Sequence, residues 1–181
     1  MTDPTLLGIC GALRRASTNR KLLHAARDAF GPARFLEADL RLPLYDGDLE
    51  AEAGIPPEVT RLAEAIAGAD AIVIACPEYN KAPPGVLKNA LDWVSRVKGG
   101  PWRDKPVAIV SAAGGRAGGE RTQFALRLML NPFRARVLPG PEVLVAQSEG
   151  QFDTDGRLTN PRYQAALDEL MAALRATCGK G

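Results

Sequence analysis

The sequence predicts a doubly wound α/β domain: a five-stranded parallel sheet with helices packed on both faces. Three observations predict it. Short apolar runs alternate five times with amphipathic segments of helical period, the order that yields parallel strands joined by right-handed crossovers. The run Ala71–Cys76 is made of small and β-branched apolar residues, as a central strand buried on both faces requires. A chain of 181 residues suffices for one layered core and is short for two. Residues 1–181 are therefore read as a single domain.

Each element follows from local pattern. Thr5 to Cys10 reads as the first strand. In the helix predicted over Asn19–Phe30, Leu22, Ala26, Ala29 and Phe30 fall on one face of a 3.6-residue period. Ala33–Leu36 is a second strand, and Pro43–Asp48 is read as a loop. Pro56 and Pro57 open a helix that carries Val59, Leu62, Ala63, Ile66 and Ala67 on one side. After the strand at Ala71–Cys76, Pro83-Pro84-Gly85 leads into a helix with Leu87, Leu91 and Val94 in register. Val107–Val110 is the fourth strand; a glycine-rich loop, Gly114–Gly119, and a helix to about Met129 follow. Arg136–Leu138 and Val143–Val145 form a fifth strand interrupted at Pro139-Gly140-Pro141. Asn160 caps a last helix with Pro161 at its first position. Its stripe is Tyr163, Ala166, Leu167, Leu170, Met171 and Leu174.

Composition narrows the function classes. Hydrophobic residues are 46% and charged residues 24% of the chain, ordinary values for a globular protein. With 23 basic and 21 acidic residues the net charge is +2, which gives no reason to expect nucleic acid as a partner. No apolar run approaches the roughly 20 residues needed to span a bilayer, and no basic stretch precedes an apolar one at the N-terminus. No membrane partner and a cytoplasmic location are therefore expected. Three scattered cysteines and a single histidine, His24, make no Cys-x-x-Cys pair, so no metal site is expected. The cysteines read as reduced, mostly buried thiols.

In doubly wound sheets, ligands bind outside the carboxyl ends of the strands. The loops at Gly11–Asn19, Pro77–Pro84 and Ser111–Gly119 should converge there. The first reads GALRRASTN. Arg14 and Arg15 supply charge; Ser17, Thr18 and Asn19 supply short polar groups at a helix start, where free N–H groups and the dipole favour an anion. That chemistry suits a phosphate monoester, although Ser17 or Asn19 also caps the helix. The loop lacks the Gly-Lys-Ser/Thr ending of a Walker motif and the three glycines of a dinucleotide fingerprint. The second reads CPEYNKAPPG. Proline fixes the exit direction, Tyr79 offers a flat face, and Asn80 offers donors and acceptors suited to a heteroaromatic imide edge. The third, SAAGGRAGG, allows close backbone approach and by itself says little.

At these loops the chain resembles the NADPH-dependent FMN reductase family, which includes quinone, chromate and azo-dye reductases. The resemblance runs from about Leu6 to Leu174 and is carried by GALRRASTNRKL, LPLYDGDLE, CPEYNKAPPGVLKNALDWVSR and GGERTQFALR. It implies a flavodoxin-like fold, bound FMN, NADPH or NADH as co-substrate, and a homodimer or homotetramer with FMN close to the subunit interface. It also implies roles for residues. Arg14, Ser17 and Asn19, with the backbone from Leu13 through Thr18, would hold the phosphate. Pro77, Glu78, Tyr79 and Asn80 would flank the isoalloxazine, and Ser111 to Gly115, including Ala113 and Gly114, would approach its other edge. Four positions depart from the family pattern: Ala12 replaces a usual serine, Lys81 an uncharged or aromatic residue, and Ala112 and Ala113 frequent hydroxyl residues.

The expected activity passes electrons from nicotinamide through FMN to a small acceptor such as a quinone, chromate, an azo or nitro compound, or free flavin. The flavin carries that chemistry, so no catalytic side chain is assigned. A Ser-His-Asp triad has no Gly-x-Ser-x-Gly elbow to stand on. The rivals are a non-enzymatic electron carrier of the flavodoxin type, usually strongly acidic; a receiver domain, which would need aspartate where Cys76 stands; and a flavin-free interaction module. Tyr45, Trp93 and Trp102 are candidate interface aromatics, with core packing an equal reading for Trp93.

Overall fold

Strand β1 (Thr5–Cys10) pairs on both sides, with β2 (Arg34–Ala38) and β3 (Ala71–Ala75), and both pairings are parallel. β3 continues to β4 (Pro106–Ala112). The computed structural model describes residues 3–179. The far side of β4 is shared by two short strands: β5 (Arg136–Val137) pairs with its first half and β6 (Val143–Val145) with its second. The expected fifth strand thus occupies one sheet position in two pieces. The order β2-β1-β3-β4-β5, parallel throughout, is the doubly wound arrangement.

Side chains alternate across each strand and build two cores. Leu6 and Cys10 of β1, with Ala71, Val73 and Ala75 of β3, face α1 (Thr18–Phe30) and α6 (Pro161–Arg175). Leu7, Ile9, Ile72, Ile74 and Cys76 face the opposite layer, formed by α3 (Pro57–Gly68), α4 (Gly85–Ser95) and α5 (Glu120–Leu130). Cys10 and Cys76 therefore point to opposite faces. All three cysteines are free thiols.

Two expectations are corrected. The segment read as a loop at Pro43–Asp48 runs into a helix, α2 (Gly47–Ala53), capped by Asp46, whose carboxylate accepts from the Asp48 N–H at 2.9 Å. α2 buries no residue, so it leaves no apolar periodicity to read. Its approach is pinned from α4 instead: Asn89 Nδ2 and Trp93 Nε1 both donate to the Pro43 carbonyl, at 2.9 and 2.8 Å. Trp93 and Trp102 are both buried in the interior, so neither is an exposed interface aromatic.

Candidate active site

Three loops meet at the carboxyl ends of the strands, joined by a fourth segment. They enclose a cleft of about 400 Å³ lined by Arg14, Ser17–Asn19, Pro77–Tyr79, Ala112–Gly114, Ser148 and Glu149. That volume lies within the range of small-molecule sites.

The first loop leaves β1 at Gly11, whose N–H donates to Ala75 O at 2.9 Å and so extends the sheet by one bond. Ser17 is the cap of α1; its hydroxyl accepts from the Asn19 N–H at 3.2 Å. Asn19 is buried and acts as a weld. Its Nδ2 donates to Ala112 O at 2.7 Å, and its Oδ1 accepts from the Ala112 N–H at 3.0 Å, joining the start of α1 to the end of β4. Thr18 shares a hydrogen bond with Ser148 at 3.1 Å. Arg14 and Arg15 stay exposed, and the first turn of α1 contains no acid. The rim is thus positive at a helix N-terminus, the setting an anion requires. Leu13 is half-buried against the core and does not line the cleft; its carbonyl accepts from Arg41 at 3.2 Å.

The second loop is a rigid hairpin. Tyr79 and Ala82 exchange backbone hydrogen bonds at 3.0 and 3.1 Å around Asn80 (φ 51°) and Lys81 (φ 67°). Two successive positive φ values define a type I′ turn, which asparagine tolerates and lysine adopts under mild strain. Asn80 sits at its exposed tip, off the cleft wall, while the half-exposed Tyr79 ring forms part of that wall. The base of the turn is fixed from α5. Thr122 Oγ1 donates to Pro77 O at 3.2 Å and lies 3.1 Å from Cys76 Sγ, and the Thr122 N–H donates to Glu78 Oε2 at 3.4 Å. Glu78 thereby supplies the cap that Gly119, at the start of α5, cannot. Burial pushes the Cys76 thiol up to about 12 and the Cys10 thiol above its ordinary value. Neither is set up as a thiolate nucleophile.

The third loop divides in two. Added Cβ atoms at Gly114 and Gly115 would meet nothing within 4 Å, so these residues present bare backbone to open space. At Gly118 (φ +59°) a Cβ would lie 2.5 Å from the Leu144 backbone, and at Gly119 (φ +93°) 2.8 Å from Ser111. Those two glycines serve packing. Gly115 lines an adjoining cleft of about 380 Å³ that shares Glu78, Ala113 and Gly114 with the first. Ser111 is fully buried; its hydroxyl donates to Gly118 O at 2.7 Å and accepts from Gln123 at 2.9 Å, and it lines neither cleft.

Sequence reasoning missed Ser148 and Glu149. β6 delivers them: the Ala113 N–H donates to Val145 O at 3.0 Å, and the Ser148 N–H donates back to Ala113 O at 3.1 Å. His24 lies elsewhere, on α1, with Nε2 2.9 Å from Glu37. Among the described residues no group of three or more His, Cys, Asp or Glu is placed to hold a metal, and no helix is long and apolar enough to cross a membrane.

A parallel sheet that gathers a cationic helix start, an aromatic hairpin and bare glycine backbone into one cleft describes a flavin-dependent reductase of the flavodoxin-like class. Comparison with known proteins agrees. The profile of the NADPH-dependent FMN reductases matches residues 4–150, and the chain belongs to that family. It is 40% identical to an NAD(P)H-dependent FMN reductase of Pseudomonas aeruginosa over 96% of this chain and 94% of that one. It is 37% identical to a quinone reductase of Escherichia coli K12, covering 93% and 90%. Among solved structures, the flavoenzyme NAD(P)H:(acceptor) oxidoreductase FerB of Paracoccus denitrificans superposes with a TM-score of 0.85 at 30% identity, over 96% of each chain. The protein is an FMN-dependent NAD(P)H oxidoreductase. Each relative is an oxidoreductase by name, and nothing supports the electron-carrier alternative.

Proposed function

We propose that this cleft is the FMN site, and that NAD(P)H and then a small acceptor use the space above the flavin in turn. The observation that carries the reading is the convergence of Arg14 and the start of α1, the Tyr79 hairpin and the bare Gly114 backbone on one cleft. The donor set fits the cofactor. Arg14, with the N–H groups of the Leu13–Asn19 turn and the hydroxyls of Ser17 and Thr18, suits a phosphate. Pro77, Glu78 and Tyr79 suit one side of a flat heteroaromatic ring, and Ala113, Gly114 and Gly115, braced from behind by Ser111, suit the other. Bound FMN would supply the redox chemistry, taking hydride from nicotinamide and passing electrons on. The chain's own task is then to hold and orient. Asn19, Thr122 and Ser111 spend their polar groups inside the protein and keep the three loops in place. Small residues at 112–115 leave room for exchange of the two substrates.

The acceptor class we favour is a quinone, supported by the named relative from Escherichia coli; chromate, azo and nitro compounds and free flavin would fit the same open cleft. We further propose a homodimer or homotetramer acting in the cytoplasm, where three unpaired thiols stay reduced. One shared place above the flavin predicts parallel lines in double-reciprocal plots as the acceptor is varied. The phosphate assignment is tested with Arg14→Ala. FMN affinity should fall by about 1.5–3 kcal/mol, the worth of a charge-assisted hydrogen bond, while riboflavin affinity holds. Equal losses for the two flavins would remove the phosphate from this loop.

A further inference from the structure

A further cleft lies at the opposite, amino end of the sheet. The last turn of α4, the loop that follows it and the short 3-10 turn Asn131–Phe133 enclose about 380 Å³, a volume in the range of small-molecule sites. Val94, Pro101, Trp102 and Phe133 supply apolar walls, and Arg103 and Arg134 join the lining. No acid lines it. Trp102 stands just before β4 begins at Pro106, whereas the flavin cleft lies at its far end, beside Ala112. At the usual rise per strand residue, β4 separates the two by roughly 20 Å.

Polar groups here lack partners that their neighbours have. Trp102 is 3% exposed, and its indole Nε1–H is buried with no hydrogen-bond acceptor. A buried donor left unmatched costs free energy unless something accepts from it. Trp93, by contrast, donates its Nε1–H to Pro43 O at 2.8 Å. The cations divide in the same way. Arg96 pairs with Glu50 at 2.9 Å, Lys105 Nζ donates to Ala69 O at 2.9 Å, and Arg136 Nε donates to Asp104 O at 2.8 Å. Among the described residues, the side chains of Arg103 and Arg134, which line the cleft, have no such partner. The Arg134 backbone is fixed in the left-handed region (φ 59°). Its N–H donates to Asn131 O at 3.0 Å, and its carbonyl accepts from the N–H of Asp104 (φ 60°) at 3.1 Å. Residues other than glycine held in that region are uncommon and cluster at ligand sites.

We propose that this cleft binds a small aromatic carboxylate, at a site separate from the flavin. The ring packs against Trp102 and Phe133, which meet each other edge-on at 6.4 Å. The carboxylate takes the guanidinium groups of Arg103 and Arg134, whose planar forks match it. A small tilt of the indole carries its N–H to the same carboxylate, and the buried donor gains the acceptor it lacks. The carbonyls that end α4 would otherwise repel an anion. They are already engaged: Asp92 O accepts from Ser95 Oγ at 2.6 Å, Trp93 O from the Arg96 N–H at 3.0 Å, and Val94 O from the Val97 N–H at 3.1 Å. The volume suits one or two fused rings.

Titration of the FMN-loaded protein with 2-naphthoate tests this, with 2-naphthalenemethanol as the neutral control. Naphthoate should bind with a Kd of about 1 mM or tighter, and the alcohol at least about tenfold more weakly. The double variant Arg103→Gln, Arg134→Gln should lose that preference. Neither guanidinium holds the fold, so it should melt with the wild type. The second readout is the pair of indole N–H signals in a proton–nitrogen NMR spectrum, one from each tryptophan. Trp102→Phe assigns them by removing one. Naphthoate should move the Trp102 signal saturably, with the same Kd, and leave that of Trp93 in place. No saturable binding by about 10 mM, naphthoate affinity unchanged in the double arginine variant, or a Trp102 signal that stays put would each overturn the proposal. Flavin absorbance recorded in the same titration identifies a competing site: a shift there with an unmoved Trp102 signal would place the ligand over the flavin and overturn the proposal as well.

Discussion

Gly114 and Gly118 stand four residues apart in one loop and have opposite employment. Around Gly114 there is nothing within 4 Å of an added side chain; around Gly118 the Leu144 backbone fills that space at 2.5 Å. One leaves room for a ligand and the other for the protein itself. The same division recurs in the other loops. Asn19 is welded to β4 while Arg14, five residues earlier, stays exposed. Cys76 and Thr122 bond each other in the interior while Tyr79 projects at the rim. The site therefore consists of a buried frame, whose polar groups are spent on one another, and an open rim, whose groups are left for ligands. The frame should govern stability and the rim ligand affinity.

The sharpest way to break this comparison is to add one methyl group on each side. Gly118→Ala forces a Cβ into backbone and keeps an alanine at φ +59°. Overpacking plus the left-handed conformation should cost about 3–4 kcal/mol in denaturant unfolding. Gly114→Ala should change stability by no more than about 0.5 kcal/mol, as surface substitutions do, yet weaken FMN binding measured by fluorescence titration. If the two variants melt together, the loop is not divided as described.

Asn19→Ala tests the frame in the first loop. It strips both partners from the buried N–H and carbonyl of Ala112. Leaving such groups unsatisfied should cost roughly 2–3 kcal/mol of stability. Arg14→Ala should cost almost none. A stable Asn19→Ala protein with a selective loss of FMN would move Asn19 from the frame to the rim, where the sequence had placed it.

Asn19 shows what a sequence can and cannot display. Strands such as Ala71–Ala75 and helices such as Thr18–Phe30 are legible because burial on both faces writes itself as an unbroken apolar run and burial on one face of a helix as period 3.6. The three loops were legible because a doubly wound sheet must bring them together. The weld made by the Asn19 side chain is not legible, because a polar residue at a helix start looks the same whether its partner is a phosphate or Ala112, 93 positions away. The internal role of Ser111 is hidden for the same reason: its hydroxyl's partners, Gly118 and Gln123, become neighbours only after folding. Ser148 and Glu149 carried no signal, since they reach the cleft through the pairing of β6 with β4 and a left-handed Gln147 (φ 47°). α2 left no trace because a helix that buries nothing needs no apolar stripe.

The smallest effect sharpens the comparison in the second loop, through pH. Cys76 belongs to the frame, and burial pushes its thiol up to about 12 from an ordinary value of 9.0. Below pH 9 the thiol is protonated in both the folded and the unfolded chain and contributes no pH dependence. Above pH 9 the unfolded chain releases this proton, whereas the folded protein keeps it until about pH 12. The native state then binds more protons than the unfolded one, so stability falls as pH rises through that window. The slope is at most about 1.4 kcal/mol per pH unit. Other groups titrate there too, so the measurement is a difference: urea melts of wild type and Cys76→Ala at pH 8 and pH 10. The stability of the wild type relative to Cys76→Ala should decline by about 1 kcal/mol between the two. An unchanged difference would mean that Cys76 ionises as freely in the folded protein as in the unfolded chain. Its place would then be on the open rim with Tyr79, and it would become a thiolate candidate beside the cleft.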